Sequence, residues 1–199
     1  MGSPNVGKSV VAALVFADLK LRGIDCELVQ ERAKEWHRAG RLRPEDQVLT
    51  TMEQIARERA LEGSVDVVVT DSPPVLGMAY SSPAQVDVIL SAINNLCSSW
   101  AKMAWVLERD VRPDYDQNGR RENADQSLAL QPEIRGLAER YYDKWESVDL
   151  NVEKSAIPLV ARNIADAAVI ELRYLQSEAA MQEEERRAAR ESWTARQTQ

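Results

Sequence analysis

Gly2-Ser3-Pro4-Asn5-Val6-Gly7-Lys8-Ser9 decides how this chain is read. The stretch fits G-x-x-x-x-G-K-[ST] at every position, and an amphipathic helical pattern follows it at once. That pattern has Val10, Val11, Leu14, Phe16, Leu19 and Leu21 as its apolar positions and Gly23 as its stop. Small residues let successive backbone N–H groups turn inward around a phosphate, and the helix that follows adds its positive N-terminal end. Gly2, Ser3, Pro4, Asn5, Val6, Gly7, Lys8, Ser9 and Val10 are therefore the expected nucleotide cradle. Lys8 is expected on the outer phosphates, and the Ser9 hydroxyl on Mg²⁺. ATP and Mg²⁺ are the cofactors this reading implies.

Outward from the loop, strands and helices alternate. A strand is expected over residues 24–30, where Ile24, Cys26 and Leu28 alternate with polar neighbours. Val65-Asp66-Val67-Val68-Val69-Thr70 is the clearest strand, and Asp71-Ser72-Pro73-Pro74 stops it. Met103 to Leu107 and Val148 to Val152 read as two more strands. Helices are expected at 31–38, 45–61, from about Pro83 to Ser98, from Asp125 to Tyr142, and from Pro158 to Leu175. This alternation implies an α/β fold, a three-layer P-loop NTPase sandwich with a parallel sheet. A phosphate loop normally follows a buried strand. Only Met1 precedes Gly2 here, so the sheet is expected to lack its first strand or to fill that place with another segment.

Composition narrows the function classes. The 199 residues carry 25 Lys+Arg against 32 Asp+Glu, a net charge of −7, which disfavours generic nucleic-acid binding but leaves room for a local basic cleft. No run of about 18 apolar residues is present, so no membrane partner is expected. Cys26, Cys97 and His37 make neither a disulfide framework nor a zinc site. The two cysteines read as buried small hydrophobes and His37 as a surface-facing helix residue. No basic stretch followed by an apolar one opens the sequence, so the cytoplasm is the expected compartment. From Gln176 the composition turns to Ala, Glu, Arg and Gln. The chain is accordingly divided into a kinase-like domain over 1–175 and a charged helical tail over 176–199. The tail reads as an exposed helix that either frays in solvent or docks a partner protein or a second copy.

Further candidates lie beyond the loop. Glu31 and Asp71 close two expected strands, and in open α/β sheets ligands bind beyond the carboxyl ends of strands. A carboxylate there can hold Mg²⁺, the role expected of Asp71 beside Ser9, or take a proton from an attacking hydroxyl. Asp is also a common turn former, and Glu31 also suits a helix N-terminus. The polar segment from Arg109 to Arg121 is a candidate lid, with Arg112, Arg120 and Arg121 able to stabilise charge on a transferring phosphoryl group. Arg38, Arg41 and Arg43 form a second basic loop, where an anionic substrate is expected to bind.

Two resemblances bear on these residues. Pro4-Asn5-Val6-Gly7-Lys8-Ser9 resembles the first motif of Era-type GTPases, but Pro74 stands where their D-x-x-G has its glycine, and N-K-x-D is absent. A proline has no N–H to give a γ-phosphate. Over residues 2–168 the chain resembles a family of phage-encoded phosphate-loop proteins labelled AAA-type ATPases and related to the ribosylnicotinamide kinase domain. The resemblance rests on the loop, Glu31-Arg32-Ala33-Lys34, Val65 to Pro73, and Arg112-Pro113-Asp114-Tyr115 leading to Asn118-Gly119-Arg120. Gln47 and Gln54 fall where that family has glutamines on the intervening helix. Asp114 is an insertion against the family pattern, the tail is an addition, and the finger arginine of ring ATPases is not found. The resemblance implies an ATP-dependent phosphotransferase acting on a nucleoside-, nucleotide- or modified-base-like acceptor, in a host cytoplasm if phage-encoded. Its catalytic set would be Lys8, Glu31, Asp71, Arg112 and Arg120. The alternative is an accessory ATPase or ATP-dependent switch acting through a protein partner.

Overall fold

The computed structural model describes residues 1–97, 101–110, 122–151 and 154–197. Seven helices and four strands are formed among them. In chain order they are α1 (Lys8–Leu21), β1 (Cys26–Val29), α2 (Arg32–Arg38), α3 (Gln47–Arg59) and β2 (Val67–Thr70). They continue with α4 (Pro83–Leu96), β3 (Met103–Glu108), α5 (Ala124–Ala129), α6 (Gln131–Tyr141), β4 (Lys144–Asp149) and α7 (Ile157–Gln197). The fold is α/β, and its strands form two parallel pairs. β1 lies on β2 with Cys26 opposite Val67 and Val29 opposite Thr70. β3 lies on β4 with Met103 opposite Lys144 and Glu108 opposite Asp149. A short bridge from Gly2 to Leu107 adds the start of the chain to β3.

Local chemistry accounts for the element ends. α1 stops where Gly23 turns left-handed at φ 76°, with the Ile24 N–H reaching back to the Leu19 carbonyl at 3.1 Å. α4 opens on Pro83, whose missing N–H costs nothing in a first turn, and the Gln85 side chain accepts the Ser82 N–H at 2.8 Å. Asn123 and Gln126 cap α5 reciprocally, each side chain accepting the other's backbone N–H at 2.9 Å.

Three differences from the expected elements have physical reasons. The single helix expected from Asp125 to Tyr142 is two helices that meet at Leu130, because Pro132 starts a new first turn. β4 begins at Lys144 and ends at Asp149, earlier than the Val148–Val152 strand expected from its apolar residues. Its side chains at Lys144, Glu146 and Ser147 face solvent, so its apolar content is low. Pro74–Tyr80, left unassigned by the sequence pattern, forms 3-10 turns that bury Val75, Leu76 and Met78.

Residues of β3 alternate between two cores. Ala104 and Val106 join a cluster with Ile55, Leu76, Ile89 and Ile134, contributed by α3, the 3-10 segment, α4 and α6. Leu107 joins a second cluster with Val11, Val15, Leu19, Leu150 and Ile164, contributed by α1, the residue after β4 and α7. Cys26 and Cys97 are buried free thiols, one in each cluster. α7 packs on α1 through its first half, and the helix continues unbroken past Leu175, beyond which the described side chains are exposed. No helix among the described residues is long and apolar enough to cross a membrane.

Candidate functional site

The loop from Gly2 to Ser9 turns on backbone angles that few residues adopt. Asn5 sits at φ 63° and Gly7 at φ 109°, both left-handed. Gly7 is the N-cap of α1, and its carbonyl accepts the N–H groups of Val10 at 3.1 Å and Val11 at 3.0 Å. Gly2 must also be small, because a Cβ there would stand 2.6 Å from the Leu107 carbonyl oxygen. Val6 anchors the loop by burying its side chain in the α1–α7 core. The Lys8 ammonium arches back over the loop and donates to the carbonyls of Gly2 at 2.8 Å and Ser3 at 3.1 Å.

Three chain segments meet at one carboxylate. Asp71, just past the end of β2, is buried. One of its oxygens accepts the Ser9 hydroxyl at 2.7 Å, and the other accepts the Glu31 backbone N–H at 2.8 Å. Lys34 donates to the Ser9 hydroxyl at 3.4 Å. The strand ends therefore bring Ser9, Asp71 and Glu31 together, as the sequence predicts. The Glu31 side chain accepts no hydrogen bond among the described residues and lines the cavity beside the loop. Burial pushes its carboxyl above the usual range; Lys8 opposes that rise and Asp71 adds to it.

This cavity holds about 280 Å³ and runs from Gly7 and Lys8 past Glu31 to the 3-10 segment. Its far wall is Gln47, Thr50 and Thr51 of α3 facing Leu76, Gly77 and Tyr80. The two expected glutamines differ in role. The Gln54 amide is consumed by the fold: it donates to Glu58 at 2.8 Å and to the Thr70 hydroxyl at 3.2 Å, and accepts the Arg32 N–H at 3.3 Å. The Gln47 side chain lines the cavity at 7% exposure, with no hydrogen-bond partner among the described residues. An amide that faces a cavity and makes no hydrogen bond within the protein is placed where a ligand's polar groups would be received.

The basic loop does not reach this cavity. Arg38, Arg41 and Arg43 are exposed, and only Leu42 of that loop joins the lining. His37, expected to face solvent, is half-buried and lines the cavity from the end of α2. Arg32 is bound to Glu53 and Glu35 and holds α2 against α3. The lid candidates Arg112, Arg120 and Arg121 lie outside the described residues. Among the described residues no group of three or more His, Cys, Asp or Glu side chains converges, so any metal here would rest on Ser9, Asp71 and ligand oxygens.

The wall formed by Gly77, Leu76 and Tyr80 escaped the sequence reading. Its one signal is Gly77, where a Cβ would stand 2.4 Å from the Thr51 hydroxyl. Comparison with protein-family models gives no match, and comparison with curated proteins gives none either.

Proposed function

We propose that this chain is a small ATP-dependent phosphotransferase built on a three-layer P-loop sandwich, with its acceptor in the cavity between Glu31 and Gln47. The observation that carries the reading is the division of labour between the two carboxylates. Asp71 has both oxygens engaged, by the Ser9 hydroxyl and the Glu31 N–H, which suits a group that holds a metal-binding hydroxyl in place. Glu31 has a raised pKa and open oxygens, which suits a general base. In the proposed reaction Mg²⁺, held by Ser9 and Asp71, would neutralise phosphate charge. Lys8 leaves the loop carbonyls for the outer phosphates of ATP. An acceptor hydroxyl attacks the γ-phosphorus, the bond to the ADP oxygen breaks, and the hydroxyl proton passes to the Glu31 carboxylate.

The acceptor end of the cavity favours an uncharged, hydrogen-bonding molecule such as a nucleoside. Gln47, Thr50 and Tyr80 are neutral polar groups, and Leu76 and Leu42 supply apolar surface. The test is ATP-dependent labelling of a panel of nucleosides, nucleotides and base-modified DNA. We expect transfer to a neutral hydroxyl acceptor, abolished in Lys8→Ala. In Glu31→Gln, turnover should fall about 10²- to 10⁴-fold while ATP binding persists. Tight ATP binding with no labelled acceptor, or full activity in Glu31→Gln, would overturn the reading.

A further inference from the structure

The proposed reaction gives no task to Lys34, whose ammonium stands 3.4 Å from the Ser9 hydroxyl oxygen. Glu31, Lys34 and His37 follow one another at three-residue steps and all line the cavity, while Glu35 and Arg38 on the same helix are exposed. α2 therefore turns one face to the cavity, with Lys34 one turn in from Glu31. Neighbouring groups of α2 are engaged by the fold. Arg32 is bound to Glu53 and Glu35, and Arg57 of α3 is bound to Glu35 at 3.0 Å. Asp71 accepts the Glu31 N–H, and Gln54 accepts the Arg32 N–H. α2 is thus fastened to α3 and to the end of β2 without Lys34.

Lys34 itself is poorly matched by the protein. It is half-buried, and its bond to Ser9 is longer than the roughly 2.7–3.2 Å of an ordinary N–H···O bond. Ser9 directs its own proton to Asp71 at 2.7 Å. Glu31 and Glu122 also line the cavity, and Lys34 forms an ion pair with neither among the described residues. An ammonium carries three N–H donors, so most of the donor capacity of Lys34 meets no acceptor in the described chain. Its charge still reaches the site: with Lys8, it draws the Glu31 carboxyl down against the rise caused by burial.

Position says what Lys34 can receive. Its stem starts one turn beyond Glu31 and its ammonium ends beside Ser9, so the side chain spans from the proposed base to the proposed metal position. Mg²⁺ at about 2.1 Å from the Ser9 oxygen would be repelled by an ammonium this close. The two cations share the cavity only with anionic oxygens between them. A diphosphate cradled by the loop leaves that place unfilled. In the proposed reaction the γ-phosphoryl group lies between the loop and Glu31, and it fills that place.

We infer that Lys34 is a second cation for the γ-phosphoryl group, donating N–H hydrogen bonds to its oxygens from the α2 side while Lys8 donates from the loop side. The inference rests on the reading that a nucleoside triphosphate occupies the Gly2–Ser9 loop. Lys34 stays protonated throughout and makes or breaks no covalent bond. It balances negative charge on the group in transit, the task for which preorganised cations are most effective. It also discriminates between nucleotides. A nucleoside diphosphate gains nothing from Lys34 and binds with the ammonium still on Ser9. A triphosphate draws it away.

The test is titration calorimetry of the parent chain, Lys34→Met and Arg38→Met with the Mg²⁺ complexes of ADP and of the non-hydrolysable β,γ-imido analogue of ATP. Methionine keeps most of the apolar stem and removes the charge. Arg38 is an exposed cation on the same helix, one turn away, and controls for net charge. We expect Lys34→Met to weaken the analogue about 10- to 100-fold and to leave ADP within about twofold. Arg38→Met should change neither. Thermal midpoints of both variants should stay within about 2 °C of the parent, since α2 is fastened without these side chains. No loss in Lys34→Met would overturn the inference. So would an equal loss of both nucleotides with a lowered midpoint, which makes Lys34 a structural cation, or an equal loss of the analogue in Arg38→Met. The phosphotransferase reading fails separately. A parent chain that binds neither nucleotide sinks that reading and this inference together. A preference for the analogue that depends on Lys34, with no acceptor labelled, sinks phosphoryl transfer and leaves this inference standing.

Discussion

Replacing Glu58 with Gln is expected to stabilise the protein at alkaline pH and to leave it unchanged in strong acid. Glu58 sits at the base of α3 with only 5% of its surface exposed. Its carboxyl accepts from the Gln54 amide at 2.8 Å. Burial pushes its pKa from 4.5 up to about 7, against the bonds from Gln54 and Thr70 and the charge of Lys102. Tyr142 and Cys97 stand close enough for the Glu58 charge to raise their own pKa values. An acid whose pKa is raised by folding holds more protons in the native state than in the unfolded one. Its ionisation therefore costs stability as pH rises from 4.5 through about 7, and the cost is complete above that. A shift of this size corresponds to about 3 kcal/mol. Glutamine keeps an oxygen for the Gln54 bond and carries no charge to bury.

Urea unfolding followed by tryptophan fluorescence at pH 5, 6.5 and 8 reads the effect. The difference between Glu58→Gln and the parent is expected to be about 1 kcal/mol at pH 5 and to grow to about 3 kcal/mol at pH 8. The difference is the proper observable because the buried Met1 amine titrates in the same window with the opposite sign. Its pKa is lowered from 8.0 to about 5, so its contribution improves as pH rises. A difference that does not change with pH, or a variant less stable at pH 8, refutes the reasoning.

Three further perturbations bear on the site. Gly77→Ala puts a Cβ 2.4 Å from the Thr51 hydroxyl and should cost about 1–3 kcal/mol in unfolding experiments, with Thr51→Ala in the same chain restoring most of it. Leu150 is 1% exposed, and its side chain would lie 3.7 Å from a Cβ at Gly7; Leu150→Ala should cost about 2–5 kcal/mol and weaken ATP binding measured by calorimetry, because the loop loses its packing partner. Gln47→Ala should raise the KM for the acceptor and leave that for ATP unchanged, a split that steady-state kinetics reads directly.

What could be read from the sequence followed the strength of local constraint. The turn of the Gly2–Ser9 loop was legible because left-handed angles demand small residues, and Asn5 and Gly7 supply them where the backbone needs them. The strands β2 and β3 were legible from their β-branched and apolar runs. The meeting of Ser9, Asp71 and Glu31 followed from placing carboxylates at strand ends. Tertiary facts were hidden. Nothing in the spacing of Gln47 and Gln54 told which amide would be spent on Glu58 and Thr70 and which would face the cavity. The Arg38–Arg43 loop read as a site for an anion because charge was counted without direction, and its guanidinium groups point to solvent. The cavity wall at Leu76 and Gly77 arises from 3-10 turns, which have no long periodicity to detect.

Asp71 joins the Gly2–Ser9 loop to the start of α2 through its two oxygens, and this gives the two ends of the cavity a route for thermodynamic linkage. A ligand that draws the Ser9 hydroxyl to itself removes one of the two bonds that orient the carboxylate. The remaining bond is to the backbone of Glu31, the residue that would face the acceptor in the proposed reaction. Occupancy at one end therefore changes the free energy of arranging the other, and linkage requires the effect to be equal in both directions. Such a coupling fixes no order of binding: a molecule that fills only the Glu31 end leaves the Ser9–Asp71 bond in place, and one that draws Ser9 away leaves Asp71 held by the Glu31 N–H alone.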